Sequence, residues 1–204
     1  MIYLAKNTSI ISSIPPETVP VVILLVSIVA FTIIIERSIY YNRFKSLVPD
    51  DLRTLKDLIK SQKWDEAIDH LKLKSWGATT VVLTTLLDYR RRESEYLGDE
   101  LKSEAYKQIS QMEKFLTELG TIATISPLLG VLGTVLGMIR SFAEGTGTKG
   151  AEVGISEALI TTAMGIAVAV PSYVFYNVLV RKKEEKISEL ETISDQILPL
   201  VVKK

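Results

Sequence analysis

Charged residues vanish from three stretches of this chain and crowd into the rest. Val19–Ile35 runs 17 residues without a charge, Gly120–Ile139 runs 20 and Ala158–Val180 runs 23. A membrane helix needs about 20 mainly apolar residues, because each residue rises about 1.5 Å through a hydrocarbon core about 30 Å thick. The pattern therefore predicts three transmembrane helices. The first is read as a retained span rather than a cleaved export signal. Only Lys6 precedes it as a basic residue, Glu17 balances that charge, and Glu36 and Arg37 follow where a small-residue cleavage site would stand.

Between the spans the apolar residues recur at helical spacing. Leu52, Leu55, Leu58 and Ile59 predict one short packing helix, and Trp64, Ala67, Ile68 and Leu71 a second. Gly77 breaks the pattern before Val81, Val82, Leu86 and Leu87 resume it. Leu97, Leu101, Ala105, Ile109, Met112, Leu116 and Leu119 then repeat every three or four residues into Gly120 without a proline. That run predicts one helix reaching about 20 residues beyond the bilayer before it crosses. After the third span, Ile187, Leu190, Ile193 and Ile197 extend a helical stripe from Arg181 to Leu198, just before Pro199. The two long helices are expected to pack against each other or against neighbouring subunits.

Basic residues give the orientation, since Lys and Arg near span ends are retained on the cytoplasmic side. Arg37, Arg43 and Lys45 follow the first span, Lys107 and Lys114 precede the second, and Arg181, Lys182, Lys183 and Lys186 follow the third. The expected layout is a short extracytoplasmic N-terminus (1–18), a first span (19–36), a cytoplasmic helical region (37–117) and a second span (118–141). A periplasmic link (142–153), a third span (154–180) and a cytoplasmic tail helix (181–204) complete it. The fold class is an all-α integral membrane protein whose second and third spans extend into the cytoplasm.

Polar and small residues inside the spans carry the candidate chemistry. Gly130, Gly133 and Gly137 permit close helix approach, with Gly133 and Gly137 at small-xxx-small spacing, and Gly165 is a further packing glycine on the third span. Pro127 removes a backbone donor, bends the second span and leaves the carbonyl near Ala123 to find another partner. Thr134 lies one turn beyond Gly130 on the same face. Glu157 shares a face with Ile160 and Thr161, whereas Thr162 lies about 140° round from it. Two readings of Glu157 stand: a first-turn acid at the interface, if the helix begins near Gly154, or a deeper carboxylate facing protein or water on an ion path.

Composition narrows the field. Lys and Arg total 24 against 24 Asp and Glu, and no basic stripe forms, so nothing marks a nucleic-acid footprint. Cysteine is absent and His70 is the single histidine, which excludes thiolate and histidine-rich metal sites. No nucleophile has a visible base and orienting partner, and GVLGTVLG lacks the lysine of a phosphate loop. The sequence implies no enzyme, no cofactor and no metal.

The blocks ATISPLLGVLGTVLGMIRSF and GISEALITTAMGIAVAVPSYVFYN resemble the paired signature of the ExbB/TolQ/MotA proton-channel proteins. The three-span outline resembles the ExbB/TolQ branch. The resemblance implies a subunit of the bacterial inner membrane that forms a ring, in known cases a pentamer, around a dimeric ExbD/TolR-like partner. That partner brings one span and a titrating Asp, and proton flow drives work on the envelope, with a TonB-like or other envelope protein as a further partner. Matched residue by residue, the ion path falls on Glu157, Thr134 and Thr162, with Thr161 as the structural competitor of Thr162. Pro127 and Pro171 match family prolines, and Asn177 the polar end of the signature. The load stays open between nutrient uptake and envelope maintenance, and the ion between proton and sodium. A non-conducting membrane scaffold is the alternative.

Overall fold

The computed structural model describes residues 18–92, 97–143, 145 and 148–202. The extracytoplasmic segment expected before Thr18, parts of the link after Ala143, and the Leu97 side chain lie outside the described residues. Seven helices account for nearly all of those: α1 Thr18–Asn42, α2 Pro49–Lys60, α3 Trp64–Lys74, α4 Ala78–Arg91, α5 Leu97–Glu113, α6 Leu116–Ala143 and α7 Lys149–Val202. Three stretches of this all-α chain are long and apolar enough to cross a membrane.

The chain divides into two units, one made of residues up to Glu36 with Phe115–Val178, the other of Arg37–Lys114 with Leu179–Lys204. In the first, α1 buries Val19, Ile23, Ala30, Ile33 and Ile34 and exposes Val21, Leu24, Leu25, Ile28 and Phe31. An exposed apolar face of that extent has no place in water. Hydroxyls inside these apolar helices turn back on their own backbone: Thr32 donates to Ile28 O, Ser126 to Ile122 O and Ser172 to Val168 O. Such bonds satisfy a donor that hydrocarbon would leave bare.

In the second unit, Leu55 and Ile59 of α2, Ala67, Ile68 and Leu71 of α3, Val82, Leu83, Leu86 and Leu87 of α4, and Leu101 of α5 form one buried cluster. Leu190, Ile193, Ile197 and Val201 of α7 complete it. The tail stripe thus packs into its own chain's helical core. Helix α2 begins on Pro49, with Asp50 and Asp51 in its first turn, which suits both the missing proline donor and the helix dipole. It ends with Gln62 at φ +56°, its N–H bonded to Ile59 O, while Lys63 N–H reaches Leu58 O. This is the Schellman arrangement, built on a non-glycine residue.

One expectation about helix continuity is corrected. The helix expected to run unbroken from Leu97 across the second span stops at Glu113, Phe115 takes φ +64°, and α6 restarts at Leu116. The last-turn carbonyls of α5 have no partner within their helix. Arg37 Nη1 donates to Gln111 O at 2.9 Å and the Tyr41 hydroxyl to Met112 O at 2.8 Å. Apolar periodicity continues through such a break, because Met112, Leu116 and Leu119 are all buried whichever way the backbone turns between them. The third span and its tail do form one helix, as expected; α7 starts at Lys149, five residues earlier than expected, and runs through Pro199 to Val202. Its 54 residues span about 80 Å.

Candidate functional site: the glycine seam between α6 and α7

Small residues on α6 recur at positions 126, 130, 133, 137 and 141, and all of them meet α7. The helices run antiparallel, so ascending numbers on α6 meet descending numbers on α7. A Cβ placed on Gly165 would lie 2.5 Å from Ser126 O and 3.1 Å from Gly130 Cα. On Gly130 it would lie 3.0 Å from Thr162 Cα, and on Gly133 it would collide with the Thr161 methyl. On Gly137 it would lie 2.7 Å from Ala158 Cβ, and on Gly154 it would meet Ser141 Oγ. At each place backbone approaches backbone or a branched side chain, and glycine is what lets it. Between membrane helices such close packing supplies the association that hydrophobicity cannot. Val19 of α1 joins at Gly133, where an added Cβ would lie 3.2 Å from its Cγ1.

The seam separates the two threonines that the sequence left in competition. Thr161 is buried, with its methyl group on Gly133 and its hydroxyl donating to Glu157 O at 2.9 Å. The half-buried Thr162 instead reaches across to α6. Its Oγ1 lies 2.5 Å from Thr134 Oγ1 and 3.0 Å from Gly130 O, and Thr134 Oγ1 is also 3.0 Å from Gly130 O.

These three oxygens share two hydroxyl protons, since a carbonyl brings none and a threonine brings one. Two of the three contacts are hydrogen bonds at any moment. In one arrangement Thr162 donates to Thr134 and Thr134 to Gly130 O; in the other Thr134 donates to Thr162 and Thr162 to Gly130 O. Rotating two O–H bonds interconverts them without moving a heavy atom. One threonine oxygen in each arrangement receives no bond from the other two groups and can accept one from a water.

Glu157 stands apart from this pair. The α7 helix begins eight residues earlier, so Glu157 is not a first-turn acid. Its carboxylate is exposed and forms no ion pair among the described residues. At 100° per residue, Glu157 and Thr162 fall about 70° to either side of the seam centred on Ala158, Thr161 and Gly165. The seam brings together Thr134, Thr162 and Gly130, with Thr161 beside them, and leaves the Glu157 carboxylate on the opposite edge of α7. Pro127 and Pro171 are half-buried within continuous helices, and Asn177 is exposed, its side-chain amide donating to Tyr173 O at 2.8 Å. The carbonyl of Gly130, together with Ser126, Ser141 and Gly154, was not foreseen as part of this contact. The spacing of small residues at 126, 130, 133, 137 and 141 was the available signal. Among the described residues no group of His, Asp and Glu is disposed to hold a metal.

The seam lies within a larger match. Residues 73–192, more than half of the chain, match the model of the MotA/TolQ/ExbB proton channel family. The chain belongs to that family. Its relatives place it on the ExbB/TolQ-like branch. An ExbB-like biopolymer transport protein of Synechocystis sp. is 31% identical over 188 residues, 86% of this chain and 72% of its own length. The biopolymer transport protein ExbB of Aquifex aeolicus is 43% identical over 101 residues, 45% of this chain and 68% of its own. The Tol-Pal system protein TolQ of Haemophilus influenzae is 38% identical over 76 residues, 35% of this chain and 33% of its own. As a member of the proton channel family, the chain is a channel-type subunit and not an enzyme.

Proposed function

We propose that this protein is the ring-forming channel subunit of an inner-membrane motor that converts the proton-motive force into mechanical work on the envelope. In this reading a ring of five copies encloses a dimeric, single-span ExbD/TolR-like partner that carries a titrating Asp, and a TonB-like or other envelope protein receives the work. The N-terminus lies in the periplasm, the spans cover residues 19–36, 118–141 and 154–180, and residues 37–117 and the tail lie in the cytoplasm. The observation that carries the reading is the contact of Thr134 with Thr162 at 2.5 Å over the Gly130 carbonyl, inside two apolar helices. A half-buried, reorientable hydroxyl pair is a place where a proton can be passed along a file of water.

Glu157 supports assembly in the same reading. A carboxylate facing lipid costs up to about 2.5–3.5 kcal/mol at the bilayer centre on insertion scales, and less near the boundary, where Glu157 stands as the fourth residue of the 154–180 span; its cover still relieves a charge beside hydrocarbon. The exposed Glu157 edge of α7 is therefore covered by a neighbouring copy or by the partner, where it shapes the field along the path or exchanges protons. Thr161 holds the seam, and Thr162 with Thr134 lines the path.

The test is proton flux in vesicles containing the chain and its partner under an imposed pH gradient. Glu157→Gln and Thr162→Ala are expected to assemble and to conduct poorly. Flux unchanged by both substitutions rejects the path. A complex that forms but does not respond to any gradient favours the scaffold, for which the glycine seam alone would suffice. Because the chain has no cysteine, single cysteines at Ser46 and Thr148 report the orientation by labelling from either side.

A further inference from the structure

The second unit contains a cavity of about 590 Å³ with an aromatic wall of Tyr40, Phe44 and Trp76. Tyr40 and Phe44 meet edge to face at 4.9 Å, and Trp76 stands 6.4 Å beyond Phe44. Two backbone hydrogen bonds between Lys45 and Trp76, at 2.8 and 3.0 Å, hold Trp76 beside that wall. Trp76 nevertheless remains 55% exposed. Along α4, Thr84 and Thr85 lead from this cavity into a second hollow of about 370 Å³, bounded by Asp65, Asp69 and Asp88. Lys72 borders both hollows, and with Arg91 it leaves the second one carboxylate in excess. Arg91 is committed to Asp65 and Asp88, at 2.7 Å each, whereas Asp69 is exposed and forms no ion pair among the described residues. An aromatic hollow and an acidic one thus lie side by side.

The same unit carries side chains that fit both. Tyr106 on α5 is 71% exposed, and its phenol makes no hydrogen bond among the described residues. Tyrosines of this kind anchor protein contacts by filling a pocket on the partner. Lys102, one turn earlier and about 6 Å away along the axis, is also exposed and forms no ion pair among the described residues. Leu101 and Met112 bury the core side of α5, and Gln108 and Gln111 border the aromatic cavity. At 100° per residue, Tyr106 falls about 170° round from the midpoint of those two glutamines. Tyr106 therefore points away from the cavity of its own chain. Two different patches that fit each other on separate copies make a head-to-tail contact, and such contacts, repeated, close into rings.

We propose that Tyr106 of one copy fills the aromatic cavity of the next copy, with its hydroxyl against Gln111 and with Lys102 beside Asp69. The contact rests on the ring of the proposed function and joins neighbours through residues outside the three apolar runs. The aromatic rings supply the buried area, and the Lys102–Asp69 pair at the rim fixes which way the two helices lie. On α4 the cavity is lined by Val81 and the acidic hollow by Asp88. Lys102 precedes Tyr106 on α5, so α5 of one copy runs antiparallel to α4 of the next. That direction brings the exposed Ser110, one turn after Tyr106, to Val81, which is 42% exposed.

The chain has no cysteine of its own, so cross-linking reads the contact directly. The full chain carrying Val81→Cys and Ser110→Cys, in lipid vesicles, is treated with a short bis-maleimide. A ladder of linked multimers is expected from the double variant and none from either single variant. Tyr106→Ala and Lys102→Glu, both at exposed positions, should each lower the linking several-fold, and Asp69→Lys should restore it in the Lys102→Glu chain. Linking that Tyr106→Ala and Lys102→Glu leave unchanged overturns the proposal. Equally efficient linking through Ser110→Cys alone would show a face-to-face contact and overturn it as well. The mass of the extracted particle, read by light scattering, separates the two readings. A particle of several copies that stays unlinked overturns this contact and leaves the ring standing, whereas a particle of one copy overturns the ring and the contact with it.

Discussion

Thr134 and Thr162 face each other hydroxyl to hydroxyl at 2.5 Å, one on each of two antiparallel helices, above a single carbonyl that either can use. The contact exists because Gly130 has no side chain: a Cβ there would lie 3.0 Å from Thr162 Cα. The packing residue and the polar pair are thus parts of one arrangement.

Replacing either hydroxyl by a methyl group of the same shape separates packing from proton handling. Thr162→Val and Thr134→Val are expected to preserve the assembled complex and to reduce proton flux about tenfold or more, equivalent to roughly 1.4 kcal/mol on the barrier. Thr162→Ser keeps the proton and should retain most of the flux. Vesicle flux with complex yield as the control measures both.

The helical glycines should differ in their tolerance of alanine according to what the new methyl group meets. Gly165→Ala drives it against the Ser126 backbone carbonyl and should cost about 1–3 kcal/mol. Gly120→Ala meets the edge of the Tyr176 ring at 3.0 Å, which can swing aside, so its cost should be smaller. At Gly98 nothing lies within 4 Å, and alanine should stabilise α5 by up to about 1 kcal/mol. Thermal unfolding in detergent ranks the three.

Tyr41 makes stability depend on alkaline pH. Burial pushes its phenol far above the ordinary tyrosine value, with Arg37 opposing in part. Below about pH 10 the phenol is neutral in both folded and unfolded chains, so it adds no slope. Above that, the unfolded chain releases the proton while the folded chain retains it, and stability falls as pH rises. Tyr41→Phe should remove this component and, by leaving Met112 O without its donor, cost about 1–2 kcal/mol at neutral pH. Unfolding followed from neutral pH to above pH 10 in both proteins checks the sign and the size.

Gln62 holds a left-handed conformation that disfavours a side chain. Gln62→Gly should stabilise the second unit by about 1 kcal/mol, because the strain of a Cβ there exceeds the added freedom of the unfolded chain. A rise in unfolding midpoint with an unchanged denaturant slope would be the expected result.

How much of this was legible beforehand varies with the kind of interaction. The short helices α2, α3 and α4 and the apolar spans were readable because burial writes a period into the sequence. The break at Phe115 was not, since its cause is tertiary: Arg37 and Tyr41 satisfy the carbonyls of Gln111 and Met112, more than 70 residues away in sequence. At the seam, glycines 130, 133 and 137 announced close approach, but which of Thr161 and Thr162 would meet Thr134 depended on the residue of α6 that each faces. Helical angle alone placed Thr161 with Glu157 and could not show that packing on Gly133 would turn Thr161 inward.

Sequence by itself determined that this chain has three membrane-length apolar helices, a helical polar region and the paired motif of its family, because hydrophobic length and periodicity are local quantities. Tertiary structure alone decided that α5 and α6 are separate helices, that Thr162 rather than Thr161 meets Thr134, and that Tyr40, Phe44 and Trp76 share one wall. Each of those outcomes depends on a partner distant in the chain, and no local pattern specifies the distance between two side chains that only folding brings together.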